Sequence, residues 1–213
     1  MATKSGNPLG MRRKPRQARS QERVNRILDV AEQLFIETGY EATTTTEIAT
    51  RAEVPIGSLY QFFPDKAALL FALWERYSEQ LRQQIATLET AEMMKLSLPE
   101  FVERTVETTN QFFTDCPGYH AIFIQVQGTL PELAELENAA DAQFIADWAV
   151  TLRQRQPSLS VADCEAIAFV LVKAIGLLLW LSLGQEPACR ERLVAETKRF
   201  TLSYLQSYHP QGE

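Results

Sequence analysis

The sequence predicts an all-α protein, and three observations carry that expectation. Apolar residues recur at spacings of three and four through most of the chain, the period of one helix face. No sustained run of β-branched residues alternates with period two, and no internal repeat is evident. The breaks between periodic stretches hold Gly, Pro and capping residues that suit helix ends. At 213 residues and 24.1 kDa, with 46% hydrophobic residues, the chain can bury one sizeable core and a small satellite.

The first helix begins near Gln17. Val24, Ile27, Leu28, Ala31, Leu34 and Phe35 mark its apolar face, and Thr38-Gly39 stops it, Gly39 suiting a left-handed C-terminal cap. Thr44-x-x-Glu47 then reads as a capping box, with Ile48, Ala49 and Ala52 as the thin apolar face of a two-turn helix that Pro55 ends. A third short helix runs from about Ile56 to Phe63. A fourth starts at Pro64-Asp65, where Pro suits the first turn and Asp the positive helix end.

Leu69, Leu73, Tyr77, Leu81, Ile85 and Leu88 keep the fourth helix periodic, long enough to serve as a connecting rod. After a weak break at Lys95 to Pro99, helices are expected near 99–115, 119–128, 131–155, 161–183 and 188–208. Cys116-Pro117-Gly118, Gly128 to Pro131, Gln156-Pro157-Ser158 and Gly184 to Pro187 punctuate them.

Charge is unevenly placed. Residues 1–26 hold eight Lys/Arg and one acid, +7, so a net charge of −6 leaves −13 for the remainder. A basic arm before an acidic body suits a protein that meets a polyanion at one end only. Cys116, Cys164 and Cys189 have no C-x-x-C spacing and read as reduced thiols, neither a disulfide frame nor a metal site. No apolar stretch follows the N-terminal charges, so a cytoplasmic protein is expected. Ala166 to Leu183 meets the length of a membrane span, but Lys173 near its middle would cost about 2.5–3.5 kcal/mol there. A helix buried between its own domain and a partner subunit is the reading taken, with no membrane partner.

Two short helices joined by a turn of about three residues, braced by a first helix, make a helix-turn-helix. Its second helix can enter the major groove of DNA. Leu59, Phe62 and Phe63 would anchor that helix, since two turns cannot hold themselves. Gly57 and Ser58 are small enough for close approach to the duplex. Tyr60 offers a hydroxyl to phosphate and Gln61 an amide to adenine or phosphate, while Lys66 brings a cation to a helix start. A basic arm from Arg12 to Arg19 could enter a minor groove or screen phosphates.

Gly39-Tyr40-x-Ala42-Thr43-Thr44-x-x-x-Ile48-Ala49 followed by Val54-x-x-Gly57-Ser58-Leu59-Tyr60-x-x-Phe63-Pro64-x-Lys66 resembles the DNA-binding domain of the TetR family of transcriptional regulators, over about residues 20–75. The resemblance implies an all-α homodimer. Its N-terminal helix-turn-helix domains would bind a palindromic operator in double-stranded DNA, and its C-terminal helical ligand-binding and dimerisation domain would take a small-molecule effector that releases DNA. Carried over by position, it gives Thr45, Thr46, Ile56, Gly57, Ser58, Tyr60, Gln61 and Lys66 as DNA contacts. The sequence departs at Glu53, where the family usually has Gly in the turn, and at Ile56, where a basic or polar residue is common. A left-handed Glu53 would cost about 1 kcal/mol.

The expected organisation is a basic, disordered arm over 1–19, a DNA-binding domain over 20–66, a connecting helix over 67–92, an effector-binding and dimerisation domain over 97–208 and a tail over 209–213. The helices at 161–183 and 190–208 would pair with their symmetry mates. Effector-lining candidates are Phe112, Tyr119, Phe123, Gln127, Phe144, Trp148 and Lys173. Lys173 needs an acid partner, Asp141 or Asp147 or one across the dimer, or else an anionic effector. No cofactor and no metal are expected. An activator, a regulator without effector and a helical enzyme stay as alternatives, although neither a Cys–His pairing, a phosphate loop nor a G-x-S-x-G elbow is present.

Overall fold

The computed structural model describes residues 11–12, 17–87, 93–126 and 130–208. Most of the basic arm, the tail and the candidate Gln127 lie outside the described residues. Among the described residues every regular element is helical: α1 (Ala18–Glu37), α2 (Thr45–Arg51), α3 (Ile56–Phe62), α4 (Lys66–Ala86), α5 (Leu98–Asp115), α6 (Pro117–Val126), α7 (Pro131–Arg155), α8 (Val161–Ser182) and α9 (Pro187–Gln206), with a 3-10 turn at Met93–Lys95.

Two compact units divide the chain, and the division does not follow chain order. The first comprises residues up to Ser78 together with Pro117–Ala134, so α6 joins α1, α2, α3 and the first part of α4. Its core is built from Ile27, Phe35, Ile48, Leu59, Phe63, Leu69, Leu70, Leu73 and Ile122, all with almost no exposed surface. Each such side chain contributes about 1.5–3 kcal/mol by leaving water, which is how the seven-residue helices α2 and α3 hold their shape.

Local chemistry explains the ends. The hydroxyl of Thr44 accepts from the amide of Glu47 at 3.2 Å and so caps α2, while Asp65 Oδ1 accepts from the amide of Ala68 at 2.8 Å at the head of α4. Gly39 takes φ +90, the left-handed conformation that glycine adopts without strain. Where α6 begins, Gly118 lies against the hydroxyl of Tyr77 and the carboxylate of Glu32. An added Cβ would stand 2.5 Å from the first and 2.8 Å from the second. Tyr77 donates to Glu32, which Arg76 also bonds, and Arg76 reaches Asp29 at 2.5 Å.

The second unit comprises Glu79–Cys116 and Glu135–Glu213, with α5, α8 and α9 packed on one another. Ser97 and Glu100 form a reciprocal capping box that starts α5. Lys198 on α9 donates to Glu103 at 2.7 Å and Glu107 at 2.8 Å on α5, and Arg190 donates to Thr114 at 2.8 Å. Arg155, at the end of α7, donates to the carbonyl of Leu96 at 2.7 Å and lies over the Phe101 ring at 4.4 Å. α8 is long and apolar enough to cross a membrane by length and composition, but only 33% of that window is buried within the chain.

Candidate nucleic-acid interface

α2 and α3 meet through a turn held by three backbone bonds: Ala52 N–H to Ile48 carbonyl at 2.9 Å, Glu53 to Thr50 at 3.1 Å and Val54 to Ala49 at 3.0 Å. Glu53 occupies the left-handed region at φ 54, as its place in the turn predicts. Leu59, Phe62 and Phe63 point inward, at 0%, 6% and 0% exposure. The remaining face of α3 is left to solvent: Ile56, Gly57, Tyr60 and Gln61 are exposed and Ser58 is half-exposed. An added Cβ at Gly57 would meet nothing within 4 Å. Neither backbone strain nor internal packing therefore asks for glycine there.

Thr46 is exposed at the start of α2, and the hydroxyls of Thr45 and Tyr60 lie 3.0 Å apart, so the two helices present a shared polar edge. Arg51 holds α2 to α1 through a two-point pair with Glu37, at 2.6 and 3.0 Å. The hydrogen bond from Arg51 keeps the Glu37 carboxyl below its ordinary range. Arg19, Arg23 and Arg26 line an open groove on α1 with Glu22, and the backbone N–H of Arg12 donates to the Phe62 carbonyl at 2.8 Å.

Lys66 has a use that sequence reasoning missed. Its Nζ donates to the carbonyls of Tyr40 at 2.6 Å and Glu41 at 2.9 Å and lies 4.5 Å from the centre of the Tyr40 ring. The ammonium thus secures the α1–α2 turn. Burial, with Glu41 and Asp65 nearby, pushes the Tyr40 phenol up to about 12, so that ring stays neutral beneath the cation. The opposite side of the same turn is held by Gln125 of α6, which accepts from the amide of Tyr40 at 2.9 Å and donates to the carbonyl of Phe35 at 3.4 Å. No local pattern marks Gln125. A lone amide between Phe123 and Val126 was the only signal.

The described effector candidates divide between the units. Tyr119 and Phe123 belong to the first, where both pack edge-on or tilted against Tyr77 and each other, at 5.2–6.2 Å. Phe112, Phe144, Trp148 and Lys173 belong to the second. Phe112 packs on Phe113 at 5.5 Å and Trp148 on Phe101 at 5.7 Å. Lys173 pairs with Asp141 and reaches Asn138 at 3.3 Å, so the anticipated acid lies within the chain. Desolvation, then the Asp141 charge, raises the neighbouring carboxyl of Glu137 above its ordinary range despite the opposing pull of Lys173. Among the described residues no cluster of His, Cys, Asp and Glu could hold a metal ion.

Comparison with known proteins decides what this helix-turn-helix belongs to. Residues 27–73 match the model described as bacterial regulatory proteins, tetR family, and residues 97–205 match the tetracyclin repressor-like C-terminal domain. The chain belongs to the TetR family of transcriptional regulators. The activator FasR of Mycolicibacterium smegmatis is 26% identical over 200 residues, covering 91% of this chain and 87% of that relative. The repressor KstR of Rhodococcus jostii is 42% identical over 60 residues, 28% of each chain. A solved TetR-family regulator from Syntrophomonas wolfei superposes with a TM-score of 0.71 at 19% identity, over 90% of this chain and 99% of that one. Another, from Streptomyces coelicolor, gives 0.64 at 23% identity, over 88% and 99%. The protein is an all-α DNA-binding transcriptional regulator, and its family numbers both repressors and activators.

Proposed function

We propose that the protein is a homodimeric repressor that binds a palindromic operator through Thr45, Thr46, Ile56, Gly57, Ser58, Tyr60 and Gln61, and that a small-molecule effector releases it. The carrying observation is the solvent face of α3: small at Gly57 and Ser58, polar at Tyr60 and Gln61, on a helix fixed from behind by Leu59 and Phe63. Small residues let the backbone approach the major groove, and Gln61 offers a paired donor and acceptor to a base edge. Ile56, 39% exposed at the start of α3, suits a thymine methyl. Lys66 enters by its place at the head of α4, its side chain being engaged with the turn.

Their outward apolar faces support dimerisation through α8 and α9. Phe169, Leu177 and Leu181 of α8 are each more than half exposed, and Phe200 of α9 stacks on Tyr204 at 6.1 Å. A second copy would cover them with the same faces, which accounts for the apolar character of α8 without a membrane and suits a cytoplasmic protein. For the effector, Phe112, Phe144 and Trp148 of the second unit are the proposed lining. The Asp141 pair neutralises Lys173, so an anionic effector is not needed to explain it.

Fluorescence anisotropy on DNA flanking the protein's own coding region, with excess random DNA as competitor, tests the reading. Specific binding at two protomers per site supports it; affinity no better than for random DNA at every salt concentration refutes it. The activator reading has its own observation, since FasR aligns across most of the chain whereas KstR matches the reading head alone. A reporter fused to the bound site separates the two, a repressor raising expression when deleted and an activator lowering it.

A further inference from the structure

We infer that Gln125 is a positioning residue for DNA recognition: from α6, it sets the pose of the α1–α2 turn and, through that turn, of the reading helices. The inference rests on the operator-binding reading above.

In the turn Gly39–Glu41 all three carbonyls and the amide of Tyr40 have hydrogen-bond partners. Gly39 carbonyl accepts from the amide of Thr43 at 3.2 Å and its hydroxyl at 2.8 Å. The carbonyls of Tyr40 and Glu41 accept from Lys66 of α4. The amide of Tyr40, inside the half-buried junction, donates to Gln125 Oε1. Two helices, α4 and α6, therefore hold one turn beside its own Thr43, and α6 reaches it from farther along the chain, 85 residues away.

The Gln125 side chain is itself oriented. Its Nε2 donates to the Ala121 carbonyl at 2.6 Å, one helical turn earlier, and to the Phe35 carbonyl at the end of α1. With Nε2 spent on two carbonyls, Oε1 is directed at Tyr40. Gly39 admits this approach, because an added Cβ would stand 3.2 Å from that oxygen. Past the turn come Thr43, buried and bonded to both Thr38 and Gly39, and then Thr44, the cap of α2. A shift of the turn moves the cap, then α2, then the Thr45–Tyr60 edge. α6 falls within the residues matched by the C-terminal family model, so one side chain links that domain's sequence to the reading head.

The test uses the full chain and the tightest duplex that wild type recovers from a randomised pool, read as the ratio of affinity for that duplex to affinity for random DNA. Gln125→Met removes the acceptor at similar volume. It should lower the ratio about fivefold, the scale of one net hydrogen bond, and speed hydrogen exchange at the Tyr40 amide. A role confined to stability would lower the melting temperature and leave the ratio of the folded protein unchanged, which overturns the inference. So would a lowered ratio with unchanged Tyr40 exchange. Should Gln125→Met fold poorly, Gln125→Leu reads the same ratio, since it too removes the acceptor for Tyr40 at similar volume, and should lower it about as much. An undiminished ratio in either folded variant would also overturn the inference. A wild type that recovers no preferred duplex removes the operator-binding reading first, and this inference with it.

Discussion

Gly57 is the residue at which internal and external demands separate most cleanly. Its helical conformation is ordinary and its missing Cβ faces open space, so the fold gains nothing from glycine. Gly57→Ala should raise stability by up to about 1 kcal/mol from helix propensity. Operator affinity should fall about tenfold or more, because the methyl would stand between backbone and bases. Thermal melting and anisotropy on one sample check both signs, and a stable variant with undiminished affinity would remove Gly57 from the interface. Glu53 is the converse case. At φ 54 it carries strain that glycine avoids, so Glu53→Gly should raise the urea midpoint by an amount worth about 1 kcal/mol. Lys66 separates turn from phosphate. If its ammonium serves the carbonyls of Tyr40 and Glu41, Lys66→Met lowers the melting temperature while the slope of log affinity against log salt stays put. A slope reduced by about 1 would instead reveal a phosphate contact.

At the scale of elements, the α5–α9 seam responds to pH through Lys198. Its bond, and then its charge, hold the Glu107 carboxyl below the ordinary range, while Lys198 is pushed above its own because Glu103 and Glu107 outweigh desolvation. A depressed carboxyl contributes stability that is present above its unfolded value and lost as pH falls through the folded one. Urea midpoints should therefore drop between neutrality and acid pH, and Lys198→Met should flatten that part of the drop, by under about 1 kcal/mol for a pair this open to solvent. An unchanged acid limb in the variant would locate the dependence elsewhere.

Helix identity was legible because it is local. Val24 to Phe35 set the period of α1, Thr44 caps α2, and Asp65 caps α4 as their sequence positions imply. The start of α6 was read two residues late. Pro117 and Gly118 looked like punctuation, whereas Pro117 takes the first helical position and Gly118 lets the helix start rest on Tyr77 and Glu32. Long-range pairing was not legible. The bonds from Gln125 to Tyr40 and Phe35, and from Lys66 to the turn, join residues with no common pattern in the chain. The proposed DNA contacts rest on the resemblance, whereas which side chains the fold itself consumes, Lys66 among them, required coordinates.

On the scale of the whole molecule, the charge division bears on how DNA is found. The first 26 residues carry +7 within a chain of net −6, so attraction is confined to one end and should fade steeply with salt, at about −0.9 in log–log slope per phosphate neutralised. The proposed dimer uses the outward faces of α8 and α9. Leu181→Arg, on a residue 54% exposed, should leave the monomer folded and abolish the dimer in sedimentation, with operator binding lost alongside; a variant still dimeric would move the interface off this face.

The most direct measurement is anisotropy of the full chain on its selected duplex across a salt series, comparing wild type with Tyr60→Ala and Gln61→Ala. Two protomers should bind each duplex far more tightly than random DNA. Tyr60→Ala should weaken every sequence alike, and Gln61→Ala should change preference at particular base pairs. Equal losses on all sequences for both variants would contradict the assignment of Gln61 to base reading. Wild-type binding that does not distinguish the selected duplex from random DNA would contradict the operator-binding function itself.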